Sequence, residues 1–333
     1  MLTAELRQSI CGWYSMLKQM ISVSIIFCAL VIAGCNEAPT PPSPTTEKAK
    51  PFRVLLVMKS LVNPFYIELQ RGAELAAAES GIELIVKSGT NETLVPQQID
   101  IIEQQLKLGV DAIVIAPADS VRIIPVLKQA IQSGISVVNI DNRIDQDALA
   151  RSGLEPIPFV SVDNHQGGYL AAEYLSRGVE QAASALIIEG PRAAENARQR
   201  RDGARQAFDE AEQITVVASE QANWHLDQAY AVIKRVHALH PDLSLVFCAN
   251  DMMALGAALY LQENNLQQIK IAGYDNVPDA RSAIEQGLMV ATIDQQAFQQ
   301  GYVGVQTVVS LLNKQKVKDS VLVDVKLITT TEL

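Results

Sequence analysis

The sequence predicts an α/β protein built from two doubly wound parallel-sheet domains, and three observations carry that prediction. From Phe52 onward, short β-branched runs alternate with amphipathic stretches of roughly twelve to eighteen residues. The strand runs are apolar at nearly every position, the pattern of parallel strands covered by helices on both faces. Ten such runs are too many for one modest open sheet, and they fall into two series of similar length and layout.

Taken in order, the chain opens on a processing signal. An apolar segment, Ile21 to Ala33, follows Lys18 and ends at "IAGC", Ile32 to Cys35. It is short for a bilayer span, and small residues precede the cysteine. "IAGC" resembles the lipobox of bacterial lipoproteins, which implies cleavage after residue 34 and a lipid on Cys35. A transmembrane anchor with Cys35 incidental is the alternative. The polar stretch "MLTAELRQSICGWYS" fits such a signal badly, so translation is expected to start at Met16 or Met20. Residues 35–51, Pro- and Thr-rich, read as an extended tether.

The first series of strands is 53–58, 82–87, 111–116, 136–140 and 159–162. The second is 185–190, 214–219, 243–248, 269–274 and 289–293. Helices fill the gaps at 64–80, 93–108, 121–133, 165–177, 196–211, 225–239, 250–263 and 296–313. The first helix has its own start signal, with Asn63 as N-cap and Pro64 at the first helical position.

Bulk composition narrows the function. The chain has 333 residues, 48% hydrophobic, enough for two domains with their own cores. A formal charge of −10 without a Lys/Arg cluster argues against nucleic acid as a partner. Of four cysteines, cleavage would leave Cys35 and Cys248. Cys248 lies in the apolar run "SLVFCAN" and reads as a buried small hydrophobe.

Ligands of doubly wound sheets bind beyond the carboxyl ends of the strands. Those ends carry Asn63, Phe65 and Tyr66; Asp141, Asn142 and Arg143; Trp224; Asn250 and Asp251; Tyr274, Asp275 and Asn276; and Asp294 and Gln295. Planar amides, carboxylates and aromatic rings recur. A sugar hydroxyl both donates and accepts, so it pairs with such groups, and the C–H faces of a sugar ring pack on aromatic rings. Singly, each Asn or Asp after a strand reads as a cap or turn former.

The pieces "NPFY" (63–66), "IAPAD" (115–119), "NIDN" (139–142), "VDNHQGG" (162–168), "ARQRRDG" (197–203), "ANDMMALGA" (249–257), "GYDNVPDA" (273–280) and "VATIDQ" (290–295) resemble the sugar-binding, ribose-binding-protein-like branch of the type I periplasmic binding proteins. The resemblance covers 52–333. It implies two lobes joined by a three-crossover hinge near 162–164, 294–296 and 322–325. One lobe would hold 52–162 plus 296–322, the other 163–295 plus 323–333. It implies a sugar wall of Asn63, Phe65 and Tyr66, a carboxylate at Asp141 and a clamping arginine at Arg198. Asn250, Asp275 and Gln295 match further polar contacts. Trp224 and Tyr274 stand where the family has Phe. Ribose binders have Asn at Ala116 and Arg at Asn142, so the resemblance leaves the ligand open among pentoses, hexoses, furanoses, small cyclic polyols and signal molecules.

The resemblance further implies an extracytoplasmic, lipid-anchored monomer that hands its ligand to an ABC permease, or a sensor subunit of a histidine kinase or chemoreceptor. A DNA-binding relative is set aside, because a lipoprotein signal stands where a helix-turn-helix would be. Enzyme motifs are absent: no G-x-S-x-G, no G-x-G-x-x-G after a strand and no Walker sequence. His165, His225, His237 and His240 form no metal-ligand pattern and read as surface residues. Residues 141–152 lack the Gly and Glu of a calcium loop. No cofactor and no metal is expected.

Overall fold

The computed structural model describes residues Lys50–Leu333. The signal segment, Cys35 and nearly all of the tether lie outside the described residues.

Twelve strands form in chain order among the described residues. They are β1 (Arg53–Ser60), β2 (Glu83–Gly89), β3 (Ala112–Ile115), β4 (Ser136–Ile140), β5 (Phe159–Val162), β6 (Ala183–Glu189), β7 (Ile214–Gln221), β8 (Leu243–Cys248), β9 (Lys270–Ala272), β10 (Thr292–Asp294), β11 (Ser320–Val323) and β12 (Lys326–Ile328). The helices are α1 (Pro64–Ser80), α2 (Val95–Lys107), α3 (Ile124–Gln132), α4 (Gln146–Arg151), α5 (Asn164–Ser176), α6 (Glu195–Glu210), α7 (Leu226–Leu239), α8 (Asp251–Glu263), α9 (Pro278–Glu285) and α10 (Ala297–Leu312).

One sheet has the order β11-β5-β4-β3-β1-β2, with every neighbouring pair parallel. The other has the order β7-β6-β8-β9, also parallel. An Ala272–Ala291 bridge carries it on to β10, which pairs antiparallel with β12. The chain therefore passes between the sheets three times: after Val162, between β10 and α10, and between β11 and β12. This is the doubly wound, two-lobed α/β fold expected from the alternating pattern.

The run "VLLVM" shows why the strands are apolar throughout. Val54, Leu56 and Met58 face α1 and α10, packing with Leu69, Ala73, Ala76, Val305 and Val308. Leu55 and Val57 face the other side, with Ile102, Ile124 and Leu127. Alternate side chains point to opposite faces, and both faces are covered. Each such side chain contributes about 1.5–3 kcal/mol by leaving water. The second lobe has its own cluster around Leu186, Ile188, Val246 and Phe247. Cys248 belongs to it as a buried free thiol, and burial raises its pKa.

The structure corrects the sequence reading at several elements. The run 269–274 forms a strand only over 270–272, and 289–293 only over 292–294, because residues before Thr292 contribute the single bridge at Ala291. The short helices α4 and α9 and the strand β11 are additions to the sequence reading. The two helices span eight residues or fewer, too short to display a helical period, whereas β12 is the last strand that the resemblance placed in the second lobe. All four histidines are partly buried rather than exposed.

Candidate functional site

The carboxyl ends of both sheets face one small cavity. From the first sheet's side come Lys59, Asn63, Phe65, Tyr66, Glu92 and Asp141. From the second come Asn196, Arg200, Trp224, Asn250, Asp275 and Gln295. The space free of protein atoms, continuous with solvent, is about 210 Å3.

Asn63 does two jobs. Its Oδ1 accepts from the Phe65 N–H at 3.0 Å, capping α1, and its Nδ2 donates to Glu92 at 3.2 Å. The cap fixes the first turn of α1, which carries Phe65 and Tyr66 edge to face, centroids 4.9 Å apart. The Tyr66 hydroxyl donates to Asp141 at 3.1 Å, and Lys59 Nζ pairs with the same carboxylate at 2.7 Å. Lys59 is the residue left over where the β1–β2 register shifts between Met58 and Ser60. Such irregularities re-aim a side chain at a strand end. Burial and the nearby Asp141 carboxylate raise the Tyr66 pKa, so the phenol stays a donor.

Across the cavity, Arg200 is held on every side. It donates to Asn164 Oδ1 at 2.8 Å, the Ala249 carbonyl at 3.0 Å and Gln295 Oε1 at 3.0 Å. It lies 3.5 Å from Asp275 and stacks 3.7 Å above the Tyr274 ring. Burial raises the Asp275 pKa, with Arg200 opposing. Close helix packing sets where this arginine stands. A Cβ on Gly168 would meet the Arg200 carbonyl oxygen at 2.1 Å, and one on Gly203 the His165 carbonyl oxygen at 2.0 Å, so α5 and α6 touch through glycines. Gly190 similarly leaves room for the Trp224 ring, 2.3 Å from where its Cβ would stand.

Three cavity residues have left-handed backbones: Asp141 at φ 59°, Trp224 at φ 70° and Asp275 at φ 125°. Each costs about 1–3 kcal/mol, and for a bulky ring the conformation is an outlier. The surrounding contacts hold these residues so that they face the cavity.

Two polar atoms at the cavity have no protein partner: Asn196 Oδ1, an acceptor, and Asn250 Nδ2, a donor. Buried polar groups are nearly always paired, so these two amides are available to an occupant. Asn250 Oδ1 is already engaged as the cap of α8, accepting from Met253 N–H at 2.9 Å.

The cleft is closed. Asn196 Nδ2 donates to Asp141 Oδ1 at 3.0 Å, Ser120 N–H to the Ala193 carbonyl at 3.0 Å, and Asn196 N–H to Asn142 Oδ1 at 3.2 Å. Asn91 meets His225 at 3.2 Å above a vestibule that shares Asn63, Glu92 and Trp224 with the cavity.

Eight of the eleven residues expected at the site line the cavity: Asn63, Phe65, Tyr66, Asp141, Trp224, Asn250, Asp275 and Gln295. Three do not. Arg198 points along the flank of α6 and donates to the Arg192 carbonyl at 2.6 Å; Arg200 stands in the cavity instead. Asn196 and Arg200 are four apart and share a helix face, whereas Arg198 is half a turn off. Asn142 ties loops together, donating to the Pro117 carbonyl at 2.9 Å and accepting from Asn196. Tyr274 lies behind Arg200, not on the wall. Sequence reasoning missed Lys59, Glu92, Asn196 and Arg200. Glu92 carried a readable signal, since "TNET" follows the second strand as the other polar groups follow theirs. Among the described residues, no group of three or more His, Cys, Asp or Glu could hold a metal ion.

Comparison with known proteins agrees with this fold. A family model described as a periplasmic binding protein domain matches residues 54–316. A D-ribose/D-allose-binding protein from Pseudomonas aeruginosa is 37% identical, the match covering 87% of this chain and 91% of the relative. A periplasmic solute binding protein of an ABC transporter from Actinobacillus succinogenes, solved with bound D-allose, superposes with a TM-score of 0.80 at 34% identity over 85% of this chain and 99% of the other. An ABC transporter solute binding protein from Burkholderia multivorans gives a TM-score of 0.81 at 35% identity, covering 84% of this chain and all (100%) of the other. These relatives are solute-binding proteins rather than enzymes. With the family model spanning most of the chain and two lobes closing on one polar, aromatic-walled cavity, the chain belongs to the periplasmic binding proteins, in the sugar-binding branch of type I.

Proposed function

We propose that this protein captures a monosaccharide of the D-allose and D-ribose class between its lobes and delivers it to an ABC permease. The lobes are taken as 52–162 plus 296–322 and 163–295 plus 323–333. The observation that carries the reading is the convergence of amides, carboxylates and rings from both sheets on one cavity, with Asn196 Oδ1 and Asn250 Nδ2 unpaired.

In this reading the open form exposes both walls to water. A sugar bridges them and favours the closed form through contacts that exist only there. Phe65, Tyr66 and Trp224 cover the C–H faces of the ring. Asp141, Asn196, Arg200, Asn250 and Asp275 take its hydroxyls. An analogue lacking one hydroxyl leaves a buried protein group unpaired, so it is rejected. The closed surface is what the permease reads. Lys59 and Glu92 supply polar groups on the first wall, where Ala116 and Asn142 do not line the cavity. A lipid on Cys35, the 35–51 tether, an extracytoplasmic location and a monomeric state belong to the same proposal.

Titration calorimetry with D-allose, D-ribose, D-arabinose, D-glucose and myo-inositol tests the capture. Saturable binding of D-allose or D-ribose is expected, with a tryptophan fluorescence change that Trp224→Phe removes. No heat with any of the five overturns the reading. A sensor subunit for a kinase or chemoreceptor would bind the same sugar, and loss of sugar uptake in a deletion strain separates transport from sensing.

A further inference from the structure

The charges facing the cavity do not balance. Glu92, Asp141 and Asp275 stand against Lys59 and Arg200. Lys59 pairs with Asp141 at 2.7 Å, and Arg200 lies 3.5 Å from Asp275. Glu92 is left over, and its partner is a neutral amide, the Asn63 Nδ2–H at 3.2 Å. Groups of every adjoining element are in view: Lys59 at the end of β1, Tyr66 on α1, Asp141 after β4, Arg200 on α6 and Asp275 after β9. His225 and Asp227 border the shared vestibule, with His225 engaged by Asn91. None of the described cations makes an ion pair with Glu92.

A half-buried carboxylate that faces a cavity without a cation partner is disfavoured as the anion and keeps its proton to higher pH. Burial raises the Glu92 pKa from 4.5 to about 7, with Lys59 and the Asn63 hydrogen bond opposing the rise. The group sits between the inner cavity and the vestibule, so opening the cleft would return it to water.

We propose that Glu92 is a specificity-determining residue that holds a proton in the sugar-bound, closed cleft and donates its O–H to a ligand oxygen, so that capture is coupled to proton uptake. This rests on the sugar-capture reading and adds a linkage to it. The open form titrates as an ordinary glutamate and the closed form near neutrality, so closing draws one proton from solvent between the two ranges. Affinity therefore rises as pH falls, by about tenfold from pH 8 to pH 6.

Calorimetry of the purified protein with D-allose and with D-ribose at pH 6, 7 and 8, in buffers of different ionisation enthalpy, reads both quantities. The wild type is expected to take up roughly half a proton at pH 7 and to bind about tenfold more tightly at pH 6 than at pH 8. Glu92→Gln, whose amide is a permanent donor, is expected to bind with no proton uptake and a flat pH profile. Binding by the wild type without proton uptake overturns this proposal alone. A pH slope that survives in Glu92→Gln overturns it too and assigns the proton to another group, such as the cavity carboxyl of Asp275, whose pKa burial also raises. Failure of every sugar to bind overturns the capture reading and this proposal with it.

Discussion

Arg200→Lys, set beside Arg198→Ala, tests the construction of the second wall. The Arg200 fork satisfies three acceptors, Asn164 Oδ1, the Ala249 carbonyl and Gln295 Oε1, while its plane lies on Tyr274. Lysine keeps the charge but reaches fewer of these acceptors and cannot stack in the same way. Two buried acceptors are then left unpaired, at about 1–3 kcal/mol each. All of these partners lie on the second lobe or at its hinge, so about 2–6 kcal/mol of the cost falls on folding and is read in urea unfolding. If Arg200 also makes one charge-assisted hydrogen bond to the sugar, worth about 1.5–3 kcal/mol, affinity for D-allose or D-ribose falls by about ten- to a hundredfold. Arg198 sits on the flank of α6 with a single backbone acceptor, and Arg198→Ala is expected to change stability by less than about 1 kcal/mol and affinity hardly at all. Normal binding by Arg200→Lys together with lost binding by Arg198→Ala would refute the face assignment of α6.

Further predictions follow from the same contacts. Gly190→Ala places a methyl 2.3 Å from the Trp224 ring; it should cost about 1–3 kcal/mol and shift tryptophan emission in the free protein. Asn196→Ala removes a contact to Asp141 that crosses the cleft, so it should weaken sugar affinity by about tenfold while leaving the urea midpoint nearly unchanged. Burial raises the Asp251 pKa from 3.8 to about 6. A raised folded-state pKa stabilises below the unfolded value and loses that contribution as pH rises through the folded one. The stability difference between wild type and Asp251→Asn should therefore move against the wild type as pH rises from 4 to 6, read by urea unfolding across that range.

The sequence carried the layered architecture because it rests on local, repeated information. A strand buried on both faces must be apolar at every position, and a run such as "VLLVM" declares this without reference to its partners. Asn63-Pro64 likewise announces the start of α1, since the cap acts within a few residues. Polar residues just beyond strand ends marked most of the cavity wall for the same reason. Other features came from contacts between distant segments. Lys59 reads as an ordinary strand-end lysine until the β1–β2 register shift turns it onto Asp141. The choice between Arg198 and Arg200 depends on which face of α6 meets α5, and the Gly168 and Gly203 contacts settle that face. Asn142 looks like Asp141 in sequence, yet its side chain is drawn to the Pro117 carbonyl and away from the cavity. Periodicity and capping are encoded within one or two turns of chain, so they are legible residue by residue. Which side chain reaches a shared gap depends on the packing of segments far apart in the chain, 25 residues in the case of Asn142 and Pro117, and that appears once the segments have packed on each other.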